Sequence, residues 1–284
     1  MRRRITTAAC ALVFLALLAS LSLLSGCATP GGRKITAKAL DSIVIDPHRP
    51  ARDLGRDRYR HPVETLLFFG IRPRTRVLLV WPKSGYYTRI IAPLVRRRGM
   101  LYAGVIPPPP ASGFLASRLA HYRSVLASEP ALFDRVKVVD FPLDGAPAVP
   151  PGSVNMVLAF GDLHEWMALG AARQALRSIY RALSPGGVLG IVDNRGDPSK
   201  PQDPRAKSGY VRQDYAIRLI ESAGFRLVAT SEVNANPRDT RDYPGGVWAL
   251  PPTYRLGTID RAKYAAIGES DRFTLKFIKP ARGD

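Results

Sequence analysis

Seven short runs rich in apolar residues divide the chain after residue 60: Arg76–Val80, Met100–Ile106, Val136–Phe141, Val154–Phe160, Val188–Val192, Phe225–Val233 and Phe273–Ile278. Each reads as a strand, and Arg76-Val-Leu-Leu-Val80 as a buried one. The segments between them have one apolar face. Helices are predicted over Pro62–Phe69, with Pro62 early and Glu64 in the first turn, and over Tyr86–Arg98. Phe114–Ala127 presents Leu115, Leu119, Tyr122 and Leu126 on one side. Leu176, Ile179, Tyr180 and Leu183 mark another helix, closed by the turn Pro185-Gly186-Gly187. Tyr210–Ala223 ends at Gly224, a good C-terminal cap. Trp81-Pro82-Lys83-Ser84-Gly85 breaks the chain after the first strand, and the prolines Pro107–Pro110 stop the second. Thr29 to about Arg49 reads as a polar spacer. Strand and helix alternation predicts an α/β fold with a doubly wound, mostly parallel sheet. Its ligand is expected at the carboxyl ends of the strands, in the loops after Val80, Val105, Phe160 and Val192.

Composition changes this picture at one end of the chain. Arg2, Arg3 and Arg4 precede an uncharged stretch from Ile5 to Gly32, and Leu24-Ser25-Gly26-Cys27 lies inside it. That is the pattern of a secretory signal with a small-residue cleavage site. The last four residues resemble the lipobox of bacterial lipoproteins, which implies lipidation at Cys27. An uncleaved membrane helix is the alternative. The expected organisation is a signal peptide over 1–26, a lipidated Cys27 with a tether to residue 49, and a folded domain over 50–284. Ala28 after the cysteine implies the outer membrane of a Gram-negative envelope, facing the periplasm. Cys10 and Cys27 are the only cysteines, so the domain has no disulfide framework, and with four scattered histidines no metal site is expected. The formal charge of +19 falls to +16 without Met1–Gly26. Such a balance favours anionic envelope components, through lipid head groups or polysaccharide phosphate. No nucleic-acid-binding motif is present.

Val77-Leu-Leu-Val-Trp-Pro-Lys-Ser-Gly-Tyr-Tyr-Thr88, Gly161-Asp-Leu-His-Glu-Trp166 and Leu183-Ser-Pro-Gly-Gly-Val-Leu-Gly-Ile-Val-Asp193 together resemble a class I S-adenosylmethionine-dependent methyltransferase. Asn236-Pro-Arg-Asp239, Gly246–Pro252 and Ile267-Gly-Glu-Ser-Asp-Arg272 are similar to a narrower bacterial group of predicted, often exported methyltransferases. The similarity runs from about His61 to Pro280. It implies a seven-stranded Rossmann-like sheet whose last strand is antiparallel, and S-adenosylmethionine as cofactor. Cofactor contacts are implied for Trp81, Pro82, Ser84, Gly85 and Tyr86 after the first strand, Gly104 in the second and Gly161 after the fourth. The superfamily's acid at the end of the first strand corresponds to Leu79, and its three alternate glycines to Trp81, Lys83 and Gly85. Its ribose-binding acid has no counterpart in Ala103-Gly104-Val105-Ile106, and Asn155 replaces the Asp expected to open the fourth strand.

His164, with Asp162 and Glu165 beside it, is the candidate general base; a loop-ordering or capping histidine is the alternative. Asp193 and Arg195 either line the same cleft or form a surface ion pair. Glu269-Ser-Asp-Arg272 reads as a hydrogen-bonded turn and His61 with Glu64 as a helix cap. Three functions remain open: a methyltransferase of unknown substrate; a methyltransferase fold that has lost the cofactor and binds another ligand, anionic if Lys83 and Arg195 draw it; and an envelope interaction protein.

Overall fold

The structure, a computed structural model, describes residues 30–108 and 112–281. Cys27, the signal segment and Pro109–Pro110 lie outside the described residues, as does the side chain of Phe114. The elements are α1 (Pro30–Val44), α2 (Ala51–Arg60), α3 (Pro62–Phe69), β1 (Arg76–Val80), α4 (Thr88–Val95), β2 (Met100–Val105), α5 (Gly113–Ser128), α6 (Pro130–Phe133), β3 (Lys137–Asp140), β4 (Val154–Phe160), α7 (Leu163–Ala168), α8 (Ala172–Ala182), β5 (Leu183–Asn194), α9 (Gln213–Glu221), β6 (Arg226–Ser231), a 3-10 turn (Gly246–Ala249), α10 (Arg261–Ile267) and β7 (Arg272–Ile278).

The strands form one sheet in the order β3-β2-β1-β4-β5-β7-β6. β7 is antiparallel to both its neighbours; the pairings from β3 through β5 are parallel. The chain first winds outward from β1 to β3, then returns to lay β4 on the other side of β1, so the topological switch lies between β1 and β4. The continuous apolar runs are explained by burial on both faces. In β1, Val77 and Leu79 enter a core with Leu40, Leu66, Phe69, Ile90 and Ile91, while Leu78 and Val80 enter the opposite core with Trp166, Leu176, Ile179 and Ile220. The strand and most helix expectations are met within a few residues.

Three differences have physical reasons. Residues 30–44, expected to be part of the tether, form α1: Leu40 is fully buried, and Ala39, Ile43 and Val44 pack beside it. Pro185-Gly186-Gly187, expected as a turn between helix and strand, lies inside β5 as an irregularity. Leu183 pairs with Val154 and the register resumes at Val188 opposite Met156. Gly186 N–H donates to Lys279 O and Lys279 N–H to Gly187 O, which ties the segment to the chain after β7. The helix expected from Tyr210 begins at Gln213, because Val211 is spent on a parallel bridge to Arg195. Among the described residues no helix is long and apolar enough to cross a membrane.

Candidate functional site

At the carboxyl ends of β1, β4 and β5 lies a cavity of about 230 Å³, walled also by α2, by residues 247–253 and by the start of β7. Trp81, Pro82, Ser84, Tyr86, Gly161 and His164 line it as expected. Three other predicted residues do not. Gly85 closes the turn at φ +83, where a Cβ would come within 2.9 Å of Val125. Gly104 sits in the sheet interior, where a Cβ would meet Leu78 at 3.2 Å and Phe141 at 3.3 Å. Asp162 is 1% exposed, accepting from the Phe160 N–H and pairing with Lys83 instead of lining the cavity.

The loop after β1 keeps the backbone of a glycine loop while carrying larger side chains. Trp81 and Lys83 have φ of +44 and +53, and with Gly85 they occupy the three positions where the superfamily has glycine. For a residue with a Cβ this conformation is strained. Trp81 stands against Arg118, whose guanidinium lies 5.0 Å from its ring, and closes the space beside β2. Lys83 crosses the switch point: its Nζ donates to Phe160 O at 3.1 Å and Gly161 O at 2.5 Å, and pairs with Asp162 at 3.0 Å and Glu165 at 3.3 Å. Tyr87 stacks on Phe160 with ring centroids 3.5 Å apart, joining the ends of β1 and β4 on the other side.

Burial disfavours the Lys83 ammonium, but Asp162 and Glu165 outweigh it and its pKa lies above the ordinary value. Burial pushes Asp162 up to about 7 against the pull of Lys83, with Glu165 and Asp193 adding to the rise.

In the floor, His164 Nδ1 donates to Asp193 Oδ1 at 2.7 Å, and the His164 backbone N–H donates to the other carboxylate oxygen at 3.2 Å. Asp193 is fully buried and also accepts the Asn194 N–H at 2.7 Å. Burial opposes charge on both groups. Their mutual attraction wins, raising the histidine and lowering the aspartate. The pair follows from topology, since β4 and β5 are parallel neighbours with Phe160 opposite Val192. Among the described residues nothing bonds Nε2, and the ring faces the cavity near Trp248, with centroids 6.1 Å apart. The alternative pairing of Asp193 with Arg195 is replaced: Arg195 pairs with Glu232 at 2.5 Å and Asp271 at 3.8 Å, and does not line the cavity.

The opposite wall is the part sequence reasoning missed. Helix α2 turns Arg56 and Arg60 inward, where they meet Arg272 and the buried Glu269. Arg56 Nε donates to Glu269 Oε1 at 2.6 Å, Arg60 Nε to Oε2 at 3.0 Å, and Arg272 Nη2 also donates to Oε2. Burial alone would raise Glu269; the three guanidinium groups bring it down to about 2. Arg60 also lies over the Tyr86 ring at 4.9 Å, and Tyr86 O–H donates to Asp57. The expected turn at Glu269–Arg272 is therefore a charged wall. His61 takes φ +38 between α2 and α3, and its side chain caps neither.

Two features that hold S-adenosylmethionine in this fold are missing from the residues present: Trp81 and Lys83 carry side chains into the cavity where the superfamily has glycine, and β2 ends in Val105 without a carboxylate for a ribose. Hydrogen bonds to such a charged group are worth about 1.5–3 kcal/mol each. Among the described residues no group of three His, Cys, Asp or Glu side chains would hold a metal ion.

No family model matches the sequence and no curated protein sequence matches it. Solved structures do. A SAM dependent methyltransferase from Aquifex aeolicus aligns over 86% of this chain and 98% of its own, with TM-score 0.53 and 18% identity. The [4+2]-cyclase SpnF aligns over 88% and 95%, with TM-score 0.53 and 16% identity. The arsenic (III) S-adenosylmethionine methyltransferase CrArsM from Chlamydomonas reinhardtii aligns over 86% and 74%, with TM-score 0.50 and 14% identity. At these identities the likeness is one of fold, and a fold hosts several chemistries. The sheet order, the antiparallel β7 and these matches give the chain the fold of the class I S-adenosylmethionine-dependent methyltransferases.

Proposed function

We propose that this is a methyltransferase-fold protein of the cell envelope whose cleft takes a ligand other than S-adenosylmethionine. The observation that carries the reading is the Lys83 side chain, bonded to the carbonyls of Phe160 and Gly161 across the switch point. His164 serves as the proton-exchanging group of the cleft: Asp193 holds a proton on Nδ1, which leaves Nε2 to accept one from a ligand hydroxyl or amine. Titration calorimetry with S-adenosylmethionine and S-adenosylhomocysteine tests the exclusion. No binding at millimolar ligand is expected, and a micromolar Kd overturns it. The three positive φ values of the loop after β1 favour a second reading, a methyltransferase of unknown acceptor that retains its cofactor loop. The same titration decides between the two.

We further propose that the chain is lipid-anchored at Cys27 on the periplasmic side of the outer membrane. The lipobox-like Leu24-Ser25-Gly26-Cys27 supports this. So does a basic rim at the end of the sheet opposite the cleft, where the exposed Arg74, Arg76, Arg97, Arg98, Arg135 and Lys137 surround the starts of β1, β2 and β3. Such a rim suits an anionic surface. Incorporation of labelled fatty acid in cells, lost in Cys27→Ser, is the expected result.

A further inference from the structure

We propose that Arg56, Arg60 and Arg272 form a subsite for the phosphate of a small phosphate monoester. The proposal rests on reading the cleft as a ligand site that excludes S-adenosylmethionine. Three guanidinium groups share one carboxylate, Glu269, and the arginine side chains are only 10–20% exposed. The wall therefore carries two surplus positive charges in a place where an unpaired ion costs several kcal/mol. The rings of Tyr86 and Tyr87 beside them bring no compensating net charge.

Glu269 holds the arginines by their inner edges. Its oxygens take Nε of Arg56, Nε of Arg60 and Nη2 of Arg272. Among the described residues nothing accepts from Nη1 or Nη2 of Arg56 or Arg60, and both side chains line the cavity. Guanidinium forks suit phosphate oxygens, and a phosphate monoester carries close to two negative charges above its second pKa near 6. Its charge equals the surplus. Val247, Trp248, Pro251 and Pro252 form an apolar wall for the organic part, on the side where His164 faces the cavity. Glu269 is a positioning residue. The opposite end, where Asp162 and Glu165 share Lys83, has no positive surplus and repels an anion, which fixes the orientation.

The test is calorimetry and thermal unfolding of the whole protein with inorganic phosphate and with phenyl phosphate, at pH 8 and constant ionic strength. One site is expected, with phenyl phosphate the tighter ligand. Arg60→Lys, which keeps the charge and loses the fork, is expected to weaken phenyl phosphate at least tenfold. Arg56→Gln removes a surplus cation, so its unliganded Tm is expected to equal or exceed that of the parent, with phosphate binding weakened. No binding at millimolar phosphate, or equal affinity in parent and variants, overturns the subsite. A marked fall in the Tm of Arg56→Gln with unchanged phosphate affinity also overturns it and makes the cluster a structural staple. Failure with phosphate alone leaves cofactor exclusion intact. Binding of S-adenosylmethionine in competition with phosphate overturns the exclusion and leaves the arginine site standing.

Discussion

Two buried carboxylates mark the two ends of the cleft, and they titrate in opposite directions. Asp162 beneath the β4 loop is pushed up to about 7, and Glu269 before β7 is brought down to about 2. Burial raises both; the difference is the number of cations each commands. Asp162 shares the single Lys83 with Glu165 and has Asp193 nearby, whereas Glu269 has three arginines to itself. The end that the fold family gives to a cofactor is lined by Trp81 and by a Lys83 already shared between two carboxylates, and has no cation to spare. The end assembled from α2 and β7 has cations in excess. A conserved sheet topology thus places a cleft without deciding which of its halves binds.

The largest expected effect lies on the floor between the halves. Asp193→Ala deprives His164 Nδ1 and two backbone N–H groups of their acceptor, and removes the carboxylate that favours the charged imidazole. Loss of about 3–5 kcal/mol is expected in urea unfolding at pH 6, as for other broken buried pairs. A raised histidine stabilises below its unfolded pKa and loses that contribution as pH rises through the folded value. The deficit of the variant is therefore expected to be smaller at pH 9. An equal deficit at both pH values would show that the backbone contacts, not the charge, hold the two halves together.

Next in size is the acid limb at the arginine end. Glu269 falls from 4.5 to about 2, which corresponds to roughly 3 kcal/mol. Because the folded value is depressed, the contribution is present above pH 4.5 and lost as pH falls toward 2. Urea unfolding between pH 6 and pH 2.5 is expected to show that loss in the parent and a flatter limb in Glu269→Gln. Asp162 has the opposite sign, and it takes stability away as pH rises from about 4 to 7. A parent whose stability is flat over both windows would break the contrast between the two carboxylates.

How much of this was legible depended on whether inward positions are apolar. The strands could be read because continuous runs such as Val154–Phe160 have few other solutions. Helix α2 could not: its inward residues are Asp53, Arg56, Asp57 and Arg60, which show no hydrophobic period, and Glu269 lies 213 residues from Arg56. The signal that existed was electrostatic, an Arg-rich helix and a Glu-x-x-Arg just before a buried strand. Asp193 was a nearer miss. A carboxylate ending the apolar run Val188–Val192 requires a buried partner, and the parallel neighbour β4 leads into His164. Neighbouring Arg195 concealed that pairing in the sequence. Helix α1 was obscured by Arg33, Lys34 and Lys38 around the few positions that pack.

At the lysine end, Lys83→Gly removes the side chain that spans the switch point and replaces a residue at φ +53 with one that tolerates it. If that side chain is what excludes S-adenosylhomocysteine, calorimetry is expected to show its affinity rise at least tenfold, about 1.4 kcal/mol. The missing ribose acid keeps it well short of an ordinary cofactor site. An unchanged affinity would assign the exclusion to Trp81 and the end of β2.

Trp81→Gly is the smallest expected effect, because two terms oppose. Relief of φ +44 is worth about 1–2 kcal/mol. Against it stand the cation–π contact with Arg118, about 0.5–1 kcal/mol, and the half-buried indole's packing against the core, of similar size. A net change within about 1 kcal/mol in urea unfolding is expected. A large loss would mean that the indole has become part of the core, and the half of the cleft it fills could not be reopened by substitution. A gain would mean that the lysine end still carries the strain of a loop shaped for glycine, which the tryptophan has filled without repairing.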